Sequence, residues 1–280
     1  MKKARLPLVI VLSFLLSACS SSFVYNNIDW LLYWYLGDYV DLSLDQKAVL
    51  DERVVAWQSW HRSTELEKYQ AQLKRLRVKF ASGALSEEQW LSEFEEAQQH
   101  LHRFRSKIAP ELAGIAQQLS VAQVEGALSA WSKKRHERQS EFEKRTEAER
   151  LIRQEERLTE FVEDNVGELT KLQSSIINTY APRFLSTNNE RTAYHTSLQN
   201  VIRDIFANRD TFEFEQQLAD LIRHPDQYKT PQYQAILDRN ARLYAQMLAE
   251  LSSTFTQKQK LTLDDKLEEK INLIGDLISD

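Results

Sequence analysis

Apolar residues recur along this chain at intervals of three and four, with charged residues between them. Leu66, Tyr69, Leu73, Leu76 and Phe80 form one stripe, and Trp90, Phe94, Ala97, Leu101, Phe104 and Ile108 a second. Tyr233, Leu237, Tyr244, Leu248, Leu251 and Phe255 form a third, and Leu267, Ile271, Ile274 and Ile278 a last. That spacing marks amphipathic helices, each turning one apolar face to a core. No run alternates in the manner of a strand. The expectation is an all-α fold, an elongated bundle of about eight helices forming a single helical domain over residues 23–280.

Helix punctuation refines this. Only 6 glycines and 5 prolines interrupt 280 residues, a composition that favours helix. A helix from Ser43 should end at Ser82-Gly83, where glycine supplies a left-handed C-terminal turn. Pro110 should close or kink the next helix near Ile108. A helix from Ser120 should stop before Pro182. Unbroken over 121–180, it would measure about 90 Å at 1.5 Å per residue. Its middle, 133–157, is dense in both signs of charge, and Glu141 with Arg145 and Glu149 with Arg153 are spaced to pair. This one very long helix is expected to stand clear of the core and bridge two packed ends. Residues 187–190 read as a loop and cap, Pro225 as a helix end, and Thr230-Pro231 as a helix start.

A start signal repeats: an apolar residue, Ser or Thr, two variable residues, then Gln. It occurs at Leu42-Ser43-Leu44-Asp45-Gln46, Leu85-Ser86-Glu87-Glu88-Gln89, Leu119-Ser120-Val121-Ala122-Gln123 and Phe255-Thr256-Gln257-Lys258-Gln259. The physical reading is a capping box, in which the hydroxyl and the Gln side chain satisfy each other's backbone N–H. Each cap contributes about 1 kcal/mol.

The N-terminus carries Lys2, Lys3 and Arg5, then an apolar run over 6–16, then Leu16-Ser17-Ala18-Cys19. The layout is that of a secretory signal peptide over residues 1–18. The apolar run is shorter than the roughly 20 residues a spanning helix needs. Cys19 is the single cysteine, so with its thiol modified no disulfide can form. Cleavage before Cys19 removes three basic residues and takes the net charge from −5 to −8. An acidic chain lacks the footprint for nucleic acid, so no nucleic-acid partner is expected.

Residues 23–36 hold six aromatics, among them Trp30, Tyr33 and Trp34. Apolar residues surround most of this segment's helical circumference, so burial is the expected state. The functional alternatives are contact with a membrane interface, where Trp and Tyr rings are favoured, or with a protein partner.

Catalytic and metal signatures are missing. His100 and His102 lie two apart and point in different directions on a helix. No histidine follows a Glu by three, and there is no His-Glu-x-x-His, so no metal is expected. His61, beside Trp60 and Arg62, reads as a helix-surface residue. There is no phosphate-cradling glycine loop and no Gly-x-Ser-x-Gly elbow. No cofactor and no catalytic residue is expected, although a two-carboxylate hydrolase stays open as an alternative.

Two resemblances add to this. The Leu16-Ser17-Ala18-Cys19 junction resembles the lipobox of bacterial lipoproteins. It implies covalent lipid on Cys19 and a short tether at 19–22. Ser20, in place of the Asp associated with inner-membrane retention, implies the outer membrane, facing the periplasm. The pentads resemble the leucine-threonine-x-x-glutamine signature of the Spy and CpxP periplasmic helical proteins, which are chaperones or stress regulators. Taken whole, the chain resembles an uncharacterised family of proteobacterial lipoproteins. The expected function is a membrane-anchored, non-catalytic protein-binding module, chaperone-like or stress-linked. The alternative is a structural spacer or assembly accessory of the outer membrane.

Overall fold

The computed structural model describes residues 24–279. The signal segment 1–18, Cys19 and the tether lie outside the described residues. Within them the chain forms eleven α-helices and no strand. These are α1 (Ile28–Leu36), α2 (Leu44–Trp60), α3 (Leu66–Ser82), α4 (Glu87–Gln117), α5 (Val121–Glu143) and α6 (Glu147–Val166). They continue as α7 (Lys171–Tyr180), α8 (Asn188–Ala207), α9 (Phe214–Arg223), α10 (Pro231–Ser253) and α11 (Gln257–Ser279). A π-helical turn, His61–Glu65, joins α2 to α3, and 3₁₀ turns occupy Ala181–Arg183 and Pro225–Tyr228.

The all-α class follows the periodicity, but the helix count and the long helix do not. Residues 121–180 are three helices. The first break is at Thr146, whose hydroxyl accepts from the Glu149 N–H while its own N–H donates to the Glu149 carboxylate. Glu149 therefore caps a new helix instead of pairing with Arg153, and Glu141 takes Lys144 at 3.0 Å. The second break is Gly167, at φ 84°, followed by a capping box at Thr170.

Two more expectations shift. Gly83 ends α3 as expected, but at φ 146° and ψ −171°, an extended glycine-only conformation rather than the left-handed helical one. Pro110 lies inside α4, which continues to Gln117. An interior proline costs about 3 kcal/mol. Burial offsets it: Ala109 and Ala113, both fully buried, present a smooth face along which α9 packs. The loop expected at 187–190 is shorter, since α8 already begins at Asn188.

The core is divided among four clusters, three of which touch α4. At 31 residues α4 is about 46 Å long and acts as a spine. Its first turns place Trp90 and Phe94 against the main cluster, built from Leu158 and Val162 of α6, Ile176 and Ile177 of α7, and Met247 and Leu251 of α10. Further along, Ala109 and Ala113 meet Phe214 and Leu218 of α9. Ile108, Leu112 and Ile115 meet Leu50, Val54 and Trp57 of α2, and Leu32 and Leu36 of α1. The fourth cluster joins Leu66 of α3 to Leu273, Ile274 and Leu277 of α11. Arg77 of α3 forks onto Asp264 of α11 at 2.6 and 2.8 Å, tying these two helices together.

Candidate functional site

All four sequence-predicted pentads form capping boxes, at Ser43–Gln46, Ser86–Gln89, Ser120–Gln123 and Thr256–Gln259. A fifth, Leu169-Thr170-Lys171-Leu172-Gln173, has the same form. The sequence carries it plainly, just after Gly167, yet a continuous-helix reading hides it.

The structure joins four of the five in two pairs. Gln46 donates to the Gln123 amide oxygen at 3.1 Å, and Gln123 donates back at 2.8 Å. Gln173 and Gln259 do the same at 2.9 and 2.8 Å. Each amide has a second donor to place. Gln46 reaches the Gln118 carbonyl and Gln123 that of Asp41, while Gln173 reaches Thr254 and Gln259 reaches Glu168. In every case the acceptor lies two residues before the partner's cap. Each oxygen also takes its own cap N–H, so all four hydrogen-bonding positions of each amide are filled. The Gln173–Gln259 pair is buried, and the Gln46–Gln123 pair lies nearer the surface. Ser86–Gln89 stands apart as a single exposed box. The paired boxes are joints between helix starts distant in sequence, holding α2 to α5 and α7 to α11.

The aromatic segment departs from expectation. No residue of α1 is buried. Leu32 and Leu36 pack inward, but Trp30 and Trp34, one turn apart, are 62 % and 47 % exposed. They are the two exposed tryptophans among the six in the chain. The helix is short and leans on the rest through one side, so its apolar circumference is not buried all round. Tyr33 turns inward and meets the Asp51 carboxylate at 2.6 Å and the Lys47 carbonyl at 3.1 Å. Burial and the adjacent Asp51 push its hydroxyl pKa up. Tyr33 also lines an open cavity of about 200 Å³ with Val40, Asp41, Leu42 and Lys47. Asp41 is the residue whose carbonyl accepts from Gln123, so α1 and the first box pair form one contiguous region.

A buried polar network lies beyond what the sequence suggested. In the π turn the Leu66 N–H reaches back to the His61 carbonyl, and this extra residue per turn brings Glu65 inward to 0 % exposure. Arg103 of α4 donates to both Glu65 oxygens, at 3.1 and 2.9 Å, and Lys68 donates at 2.6 Å. Despite burial, these cations hold Glu65 below the usual carboxylate range. Arg103 also donates to Nδ1 of His100, leaving Nε2–H to donate to Gln72 at 3.0 Å. Gln72 in turn donates to the carbonyl and carboxylate of Glu93, which also takes Lys79. Burial, and then Arg103, lower the His100 pKa to about 4. His61, expected on the surface, packs among Tyr25, Tyr69 and Phe104 because the π turn rotates it inward. Burial lowers its pKa. The network is closed and satisfied, so it locks α3 against α4.

Among the described residues, no three His, Cys, Asp or Glu side chains converge as a metal site. No helix among them is long and apolar enough to cross a membrane.

The profile of the DUF6279 family, a family of unknown function, matches residues 38–234. The chain belongs to that family. No curated protein and no solved structure matches it. The DUF6279 match takes in the first box pair, the Glu65 network and Gln173, while Gln259 and all of α11 lie beyond it.

Proposed function

We propose that this DUF6279 protein is a lipid-anchored, non-catalytic protein-binding module of the cell envelope, held through Cys19 at the periplasmic face of the outer membrane. The observation that carries the proposal is the exposed Trp30 and Trp34 pair on α1. Neighbouring exposed tryptophans are what a contact surface offers, because Trp anchors dominate the energetics of interfaces. The position of α1 supports the same reading. From Cys19 to residue 24 the chain can extend at most about 18 Å, at up to 3.6 Å per residue. With Cys19 lipidated, the Trp face is held close to the bilayer, where a membrane-surface partner is met. The non-catalytic part is supported by where Glu65 and His100 lie, since both are consumed in a closed network.

A chaperone-like or stress-linked role is the second reading. The fifth pentad favours it, since Leu169-Thr170-Lys171-Leu172-Gln173 carries Leu and Thr together, the form of the Spy and CpxP signature.

The test is crosslinking of the full chain in living cells. One discrete adduct supports a dedicated partner. A broad range of envelope proteins supports the chaperone reading, and no adduct counts against both. The anchor has its own check: Cys19→Ala abolishes palmitate labelling, and labelling that persists overturns it.

A further inference from the structure

Three arginines converge on a cleft between α5 and α8. Arg135 and Arg138 come from α5 and Arg191 from α8, with His195 one turn beyond. Neutral side chains complete the lining: Gln139, Asn188 and Thr192. None of the three guanidinium groups forms an ion pair with a carboxylate among the described residues. Of its five N–H donors, Arg135 commits two, to Gln199 at 2.7 Å and Ser132 at 3.3 Å. Arg191 commits one, to Asn188 at 3.2 Å. Arg138 has no hydrogen-bond partner among the described residues and is exposed.

Such a grouping opposes folding unless something offsets it. Like charges at short range repel, and an acidic chain has ample carboxylate with which to neutralise arginines. Elsewhere it does so, as where Arg77 takes Asp264 and Arg103 takes Glu65. The cleft gathers three that are not neutralised in this way, and its potential is felt by its neighbours. Burial, then Arg138 and Arg203, draw Arg135 below its ordinary range. Burial, then Arg191, Arg138 and Arg135, lower His195 to about 4, so the imidazole is neutral at pH 7 and adds a donor rather than a fourth charge.

We propose that this cleft is a binding site for a phosphate group. Guanidinium forks match phosphate oxygens bidentately, and three cations suit a tetrahedral dianion better than a single carboxylate charge. The cleft is small, about 20 Å³, so a phosphate would rest at its mouth with its oxygens toward the guanidinium groups and the rest of the ligand outside. Free phosphate, a soluble phosphate monoester and a phospholipid headgroup share that chemistry.

The test uses the full chain in detergent or nanodiscs, with inorganic phosphate as the soluble probe and phosphatidate-containing vesicles as the lipid probe, each at constant ionic strength. The expected result is saturable binding of at least one probe, weakened about tenfold or more by Arg138→Gln. Arg138 has no hydrogen-bond or ion-pair partner to lose among the described residues, so its replacement should leave the fold intact, and an unchanged unfolding midpoint verifies this. Lys133→Gln, on the same helix but outside the cleft, should leave binding unchanged. Binding of inorganic phosphate assigns a free phosphate group, and binding of the vesicles alone assigns a headgroup. Binding of neither probe overturns the proposal. So does binding that survives both Arg138→Gln and Arg191→Gln, which would mean screening by the surface as a whole.

Discussion

Side chains that fill every hydrogen-bonding position give the sharpest expectations. Gln173 is fully buried and joined to Gln259, whereas Gln89 closes an exposed single box. Gln173→Ala strands the Gln259 amide, the Thr254 carbonyl and the Thr170 N–H, and should cost about 2–4 kcal/mol. Gln89→Ala should cost about 1 kcal/mol or less, a cap alone. Urea titration measures both, and equal losses would contradict the pairing of the boxes as joints. The double variant with Gln259→Ala should lose less than the two singles together, because each single already breaks the shared pair. The histidines set a pH dependence. His100 and His195 titrate near 4 in the folded chain against about 6.5 unfolded. Between those values the unfolded chain binds protons that the folded chain refuses. Their contribution is therefore fully present above about pH 6.5 and is lost as pH falls toward 4. The urea midpoint should drop from pH 7 to 5.5, with a smaller drop in His195→Gln; a flat profile would contradict the buried neutral imidazoles. The hydroxyl and amide of each cap were legible in the sequence. That the amides pair was not, since it depends on tertiary contact between residues 77 or more apart.

At the scale of elements, local chemistry outweighed periodicity wherever the two disagreed. The apolar stripes marked where helices lie, because burial follows the 3.6-residue repeat. They could not mark breaks that leave the repeat nearly in phase. Residues 144–146 contain neither glycine nor proline, and Thr146 with Glu149 reads equally well as part of a charged helix. Gly167 was a clearer signal. It sits at φ 84°, in a region L residues disfavour, and a Cβ there would meet open space. Gly167→Ala should therefore destabilise by about 1–2 kcal/mol through the backbone alone, with the packing around it unchanged. A loss below about 0.5 kcal/mol in the same urea titration would mean that α6 and α7 can join differently. The π turn left no trace in the sequence. It is maintained by Glu65 reaching Arg103, an interaction supplied by another helix. Pro110 misled for the converse reason: its local cost is real, but the fully buried Ala109 and Ala113 beside it are held by α9.

In the whole molecule, the class and the stripes were readable because they rest on composition and spacing. The division of the core along α4, the exposure of α1 and the arginine cleft were not, because each depends on which helix faces which. Six aromatics over residues 23–36 suggested burial by composition, yet a helix packed through one side leaves the other outward. That outward face is the centre of the proposed function, in which Cys19 would carry the lipid. The most direct measurement places a photoreactive residue at Trp30 of the full chain in living cells, with the exposed Val78 of α3 as the comparison position. A discrete protein adduct should form from position 30, disappear in Cys19→Ala, and be missing from position 78. Adducts of equal pattern from both positions, or none from position 30, would contradict α1 as the contact surface.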